Sequence, residues 1–112
     1  MGTSDASSNT SLEGVVARRL RIAREQRGLS QKELGVLAGL DPSVSSPRIN
    51  QYERNRHAPN VAVLAKLAAV LDQPLPYFYA VDDDTAALLT AFHRASKLER
   101  ARVLAALPKL LG

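Results

Sequence analysis

LSQKELGVLAGLDPSVSSPRINQYERNR, residues 29–56, decides the architecture of the chain. Ser30 and Glu33 have the Ser-x-x-Glu spacing of a capping box, in which each side chain satisfies a backbone N–H left free by the first helical turn, so a helix starts at Gln31. Leu34, Leu37 and Ala38 supply one apolar stripe at helical spacing, Gly39 supplies the positive φ that ends the helix, and Leu40 tucks back as an apolar anchor. Beyond it, Ser45 and Ser46 are N-cap candidates, and Pro47 fits a first turn, where its missing N–H costs nothing. A second helix is expected from about Pro47 to Arg54. Ile49 and Tyr52, three apart, face inward and leave Arg48, Asn50, Gln51 and Arg54 outside.

This helix–turn–helix resembles that of the Xre/phage-repressor (Cro/C1-type) family of DNA-binding regulators. The resemblance is carried by Gly28-Leu29-Ser30-Gln31, the stripe from Leu34 to Leu40, Ile49-Asn50-Gln51-Tyr52-Glu53-Arg54, and Pro59, and it covers most of residues 12–79. It implies a five-helix lambda-repressor-like domain whose recognition helix, at about residues 47–54, enters a DNA major groove. It also implies a structural ion pair between Arg24 on the first helix and Glu53 on the recognition helix. Two features depart from the family pattern. Aligned on Ile49, the turn between Gly39 and Ile49 carries about four extra residues, as in a subgroup with a lengthened turn before the recognition helix. Asn55 stands where the family usually has Gly, and Asn is the next best residue for a left-handed helix end.

The chemistry of each candidate DNA contact follows from its side chain. Gln31 opens the first motif helix, where side chain and backbone N–H can meet a phosphate; the resemblance, too, implies that it touches DNA. Ser45, Ser46 and Arg48 are expected at the entering end of the recognition helix, where an arginine can grip guanine O6 and N7. Gln51, one turn later, has the amide geometry for adenine N6 and N7, and Asn50 has the same chemistry with a weaker claim. Lys32, Arg54 and Arg56 are better suited to phosphates, which carry no sequence information.

The remaining composition narrows the function. At 112 residues, with nearly half of them apolar, the chain is one domain with room for a small appendage and a modest core. A net charge of +4 and a pI near 9.9 agree with an anionic partner. Arg18, Arg19, Arg21, Arg24 and Arg27 concentrate that charge on the first helix. With no cysteine there is no disulfide or thiolate metal site. No apolar run approaches a membrane span, and the Ser/Thr-rich start lacks the parts of a signal peptide, so a cytoplasmic, nucleoid-associated protein is expected. His57 and His93 stand alone, without metal-ligand or nucleophile spacing, and no glycine-rich phosphate loop occurs. Neither enzyme, metal nor cofactor is expected.

Around the motif, residues 1–10 read as a flexible polar arm. Thr10 and Glu13 make a second capping box, opening a helix through Leu12, Val16, Leu20 and Ala23 that stops at Gly28. After a basic loop, Asn60 caps a helix with Val61, Leu64, Leu67, Ala68 and Leu71. Tyr77, Phe78 and Tyr79 follow in a short helical turn, as core and dimer contact. Residues 11–80 thus form the DNA-binding domain, and residues 81–112 an appendage. In that appendage Asp82, Asp83 and Asp84 open one short helix (Ala86, Leu88, Leu89, Phe92, Ala95), and a Ser96–Glu99 box opens another (Leu98, Val103, Leu104, Leu107), which Pro108 disturbs. Two short amphipathic helices favour self-association or a protein partner. The expected whole is an all-α regulator, a repressor in role, that binds double-stranded DNA at a palindromic or pseudo-palindromic operator as a homodimer. The alternatives are an autoregulating antitoxin whose C-terminal helices cap a toxin, and a helical adaptor that binds no DNA.

Overall fold

The computed structural model describes residues 11–112, which form helices α1 (Leu12–Gln26), α2 (Gln31–Leu37), α3 (Pro42–Glu53), α4 (Val61–Val70), a 3-10 turn (Leu75–Tyr79), α5 (Asp83–Arg94) and α6 (Lys97–Leu111). The described residues contain no strand.

Helix starts follow local chemistry. Ser30 and Glu33 close both halves of the expected capping box: the Glu33 N–H donates to Ser30 Oγ at 3.0 Å and the Ser30 N–H to Glu33 Oε1 at 2.8 Å. Ser96 and Glu99 repeat the device at α6, and Asn60 caps α4. The Thr10–Glu13 box rests on a residue and a side chain outside those described. At α1 the Ser11 hydroxyl accepts from the Gly14 N–H.

Helix ends share one motif. After α1, α2, α3 and α4 a residue of positive φ, respectively Gly28, Gly39, Asn55 and Asp72, reverses the chain. The N–H of the next residue then reaches back to Arg24, Gly35, Gln51 and Ala68 in turn, the six-to-one bond of a Schellman ending. Asn55, at φ 56°, holds the left-handed position.

The core is a cluster of Val16, Leu20 and Ala23 from α1, Leu34 from α2, Ile49 and Tyr52 from α3, Leu64, Leu67, Ala68 and Leu71 from α4, and Tyr77 and Phe78 from the 3-10 turn. Three residues assigned inward by periodicity are exposed: Leu12, Leu37 and Val61. Each lies in the first or last turn of its helix, where the stripe has passed the edge of the neighbouring helices.

α5 is held by polar anchors more than by apolar ones. Arg19 Nε donates to the Ala80 carbonyl at 2.9 Å, and its Nη1 lies 3.0 Å from Asp83. Thr90 Oγ1 donates to the buried Gln73, and Arg94 donates to the Asp72 carbonyl at the end of α4. α6 is tied back by Arg100, which donates to the Phe92 and His93 carbonyls at 2.8 and 2.7 Å and lies over the Phe92 ring. It has no buried residue. Pro108 does not stop it: α6 runs on to Leu111, because a proline near a helix end forfeits one hydrogen bond where few remain to be lost.

Candidate nucleic-acid interface

The close approach of α2 and α3 begins at Gly35. A Cβ there would lie 1.9 Å from Ser45 Oγ and 3.2 Å from Ile49 Cγ1, so only glycine lets the two helices meet at this distance. Ser45 completes the crossing, since its hydroxyl donates to the Lys32 carbonyl at 2.7 Å and it is fully buried.

α3 starts well before the expected Pro47. Asp41 is its N-cap, accepting from the Ser43 N–H at 2.8 Å and the Ser43 hydroxyl at 2.6 Å, and Pro42 occupies the first turn. The residues expected as a lengthened turn are therefore an N-terminal extension of the recognition helix. Asp41-Pro42 carries the same cap-plus-proline signal as Ser46-Pro47, and it was the pair passed over. Pro47 sits inside the helix, where it lacks the N–H that would have bonded to the Ser43 carbonyl.

This shift redistributes the candidate residues. Ser45 is a packing residue whose hydroxyl is engaged inside, which corrects its assignment as a DNA contact. Ser46 is half-buried, while Arg48, Gln51 and Arg54 are exposed along one side of α3. Lys32 and Arg56 are exposed nearby, on α2 and just after α3. Two exposed residues were missed: Val44, 40% exposed, and Pro47, both on the same outward side as Gln51. Their apolar character hid them, because an apolar residue on a helix reads first as core.

Beneath this face lies a polar network. The Arg24 guanidinium grips Glu53 through Nε and Nη2, at 2.5 and 3.0 Å, and Nη1 donates to the Leu29 carbonyl at 2.8 Å. Hydrogen bonding to Glu53 raises the Arg24 pKa above its ordinary value. Gln31 Nε2 lies 3.2 Å from both Glu53 Oε1 and Asn50 Oδ1. Both N–H groups of the Gln31 amide are thereby engaged, so its side chain is not the free phosphate donor expected from its position. Arg18, Arg19 and Arg24 are also drawn into structural bonds and Arg21 pairs with Glu25 on the helix surface at 3.3 Å, so Arg27 is the arginine of this group without such a bond among the described residues. His57 stacks on Tyr52 at 6.2 Å, and no group of three or more His, Asp or Glu side chains suited to a metal occurs among the described residues.

A family model described as helix-turn-helix matches residues 20–78, which span α2, α3 and most of the core around them. The chain belongs to this family. Within the helix-turn-helix regulators, of the Xre/Cro-C1 type, it is similar to the crystal structure of the transcriptional regulator BswR, at 38% identity and a TM-score of 0.79 over 85% of this chain and 94% of that one. It is also 38% identical over 60 residues to a putative multi-protein-binding factor 1 of Yarrowia lipolytica, 54% of this chain and 37% of that protein's length. The chain thus spans little more than a third of that relative. As in other helix-turn-helix proteins, the second motif helix, here α3, is the one whose exposed side is available to a groove.

Proposed function

We propose that this chain is a sequence-specific DNA-binding transcriptional regulator, a repressor that binds a palindromic or pseudo-palindromic operator as a homodimer. The observation that carries this reading is the exposed side of α3: Arg48, Gln51 and Arg54 stand outward while Ile49 and Tyr52 anchor the helix in the core. Lys32 and Arg56 flank it with positive charge. Arg48 suits guanine O6 and N7, Gln51 suits adenine, and Val44 and Pro47 offer apolar contact to a thymine methyl. Arg54, Arg56 and Lys32 serve the phosphates. Two copies would set their recognition helices about 34 Å apart in successive major grooves.

Self-association is assigned to residues 81–112. α6 leaves Leu98, Val103, Leu104, Leu110 and Leu111 exposed, and α5 leaves Leu88 exposed. Val103, Leu104, Leu110 and Leu111 share one side of α6 by their spacing, and an exposed apolar side of this kind marks an interaction surface. The name of the Yarrowia relative favours a second reading, in which that face takes a different protein and the chain works as a DNA-bound adaptor.

Selection of duplexes from a random-sequence library with purified full chain, at two salt concentrations, tests the main reading. A recurrent inverted repeat whose retention falls as salt rises is the expected result, because phosphate contacts release counterions. A folded sample that enriches no sequence at either salt overturns it.

A further inference from the structure

The network between α1 and α3 has a direction, and that direction ends at the surface. Arg24 offers only donors, and the Glu53 carboxylate, gripped by it through both oxygens, offers only acceptors. The branch of the Gln31 amide that lies 3.2 Å from Glu53 Oε1 must therefore be its NH2 group, since a carbonyl there would set oxygen against oxygen. That same NH2 lies 3.2 Å from the Asn50 amide, so the branch of Asn50 that faces it must be the oxygen. An asparagine amide on a bare helix can present either branch outward, and the hydrogen-bond network is what decides between them. Here the decision is passed from an interior ion pair, with Glu53 only 3% exposed, through Gln31 to a half-buried residue of the recognition helix.

We propose that Gln31 is a positioning residue that turns the Asn50 NH2 group outward, so that Asn50 recognises hydrogen-bond acceptors on the bound duplex. The inference rests on the DNA-binding reading above and adds to it a polarity of recognition. Asn50 lines a polar cleft of about 330 Å³ together with Arg21, Arg24, Gln31, Glu53 and Arg54. Arg54 is exposed at its rim, beside an Arg21 whose Nε is bonded to Glu25, so the groups offered there to an incoming ligand are donors. The matching chemistry is an acceptor oxygen or nitrogen, found on guanine O6 and N7, adenine N7, thymine O4 and a backbone phosphate, and not on the cytosine N4 amine. Gln51 is exposed, and its amide keeps the freedom to donate and accept together, as adenine requires.

The test uses the full chain and the duplex recovered from the random-sequence selection. Asn50→Asp keeps an oxygen toward Gln31 and replaces the outward NH2 by an acceptor, so it should weaken binding about tenfold or more. Gln31→Ala should weaken it less, and Gln31→Ala combined with Asn50→Ala should bind no worse than Asn50→Ala alone, because the first residue acts only through the second. The melting temperature of Gln31→Ala should fall modestly, because the buried Glu53 loses one donor, while its preference at every other base position should stay as in the wild type. Removing the contacted acceptor, by a 7-deazapurine for a purine N7, 2-aminopurine for guanine O6, 5-methyl-2-pyrimidinone for thymine O4 or a methylphosphonate for a phosphate, should erase the difference between wild type and Asn50→Ala, and whichever does so says where the acceptor lies. Additive losses for Gln31→Ala and Asn50→Ala, wild-type binding by Asn50→Asp, or indifference to every one of these replacements overturns the relay while leaving the DNA reading intact. A wild-type chain that selects no duplex overturns both.

Discussion

α3 and α6 carry similar signals in sequence and meet opposite fates in the structure. Each begins at a side-chain cap, each contains a proline in its interior, and each has apolar residues at helical spacing. α3 buries Ser45, Ile49 and Tyr52 against α2 and the core, whereas α6 buries nothing. Caps and periodicity determine that a helix forms and which side is apolar. Whether that side is covered depends on what the rest of the chain brings to it, and the chain brings α1 and α2 to α3 but to α6 only the end of α5, where Phe92 and His93 accept from Arg100. The consequence is a division of labour: one helix held rigid with a polar side outward, the other tethered with an apolar side outward.

That contrast can be broken most severely at the ion pair. With side-chain exposures of 13% and 3%, Arg24 and Glu53 are largely removed from water, so Glu53→Ala should cost about 3–5 kcal/mol by stranding the guanidinium, as read by chemical denaturation. At the helix crossing, Gly35→Ala improves helix propensity by about 1 kcal/mol yet should destabilise by about 1–3 kcal/mol net, since the added methyl overlaps Ser45. Gly35→Ala with Ser45→Gly should recover part of that loss, and no recovery would place the strain elsewhere.

On the exposed side the expected effects move from stability to binding. Gln51→Ala should cost about 1–3 kcal/mol of operator affinity and relax preference at one base position, whereas Arg56→Ala should weaken all duplexes alike, in titrations of operator and random DNA. For α6, Leu104→Glu should change the unfolding free energy by less than about 0.5 kcal/mol, because the side chain is already exposed, while shifting sedimentation toward the monomer. A melting transition that collapses in this variant would mean that α6 is part of the core.

The smallest effect is at the helix starts. Backbone hydrogen bonds from Ser30 and Ser96 hold the Glu33 and Glu99 carboxyls below their ordinary values, and bonds from Thr85 do the same for Asp82. Because the folded values are depressed, this contribution is complete above the ordinary carboxylate range and fades as pH falls through and below it. Amide exchange at Ser30 and Ser96, corrected for intrinsic rates, should therefore show fraying in acid before the core opens.

Much of the recognition unit was legible because its signals are local. Ser30 with Glu33, Gly39, Asn55 and the inward pair Ile49 and Tyr52 each act within one turn of helix. The start of α3 was misread because two cap-plus-proline pairs, Asp41-Pro42 and Ser46-Pro47, compete in one stretch. The earlier pair prevails where Ser45 can be buried against Gly35, a contact between two helices that no window along the chain contains. The arginines of α1 were misread for a similar reason. Arg19 reaches Ala80, and Arg24 reaches Glu53, across distances in sequence that periodicity does not see.

By itself the sequence determined where most helices begin and end, most of the residues that form the core, and that one helix carries a polar, basic side. Those properties arise from a residue and its neighbours within a turn or two, through capping, backbone conformation and the spacing of apolar groups. Only the tertiary structure decided that Ser45 packs inside, that Gln31 faces Asn50 and Glu53, and that the apolar side of α6 goes uncovered. Each of these depends on which surfaces distant segments present to one another, since burial and the direction of a hydrogen bond are properties of a pair, and one partner alone does not carry them.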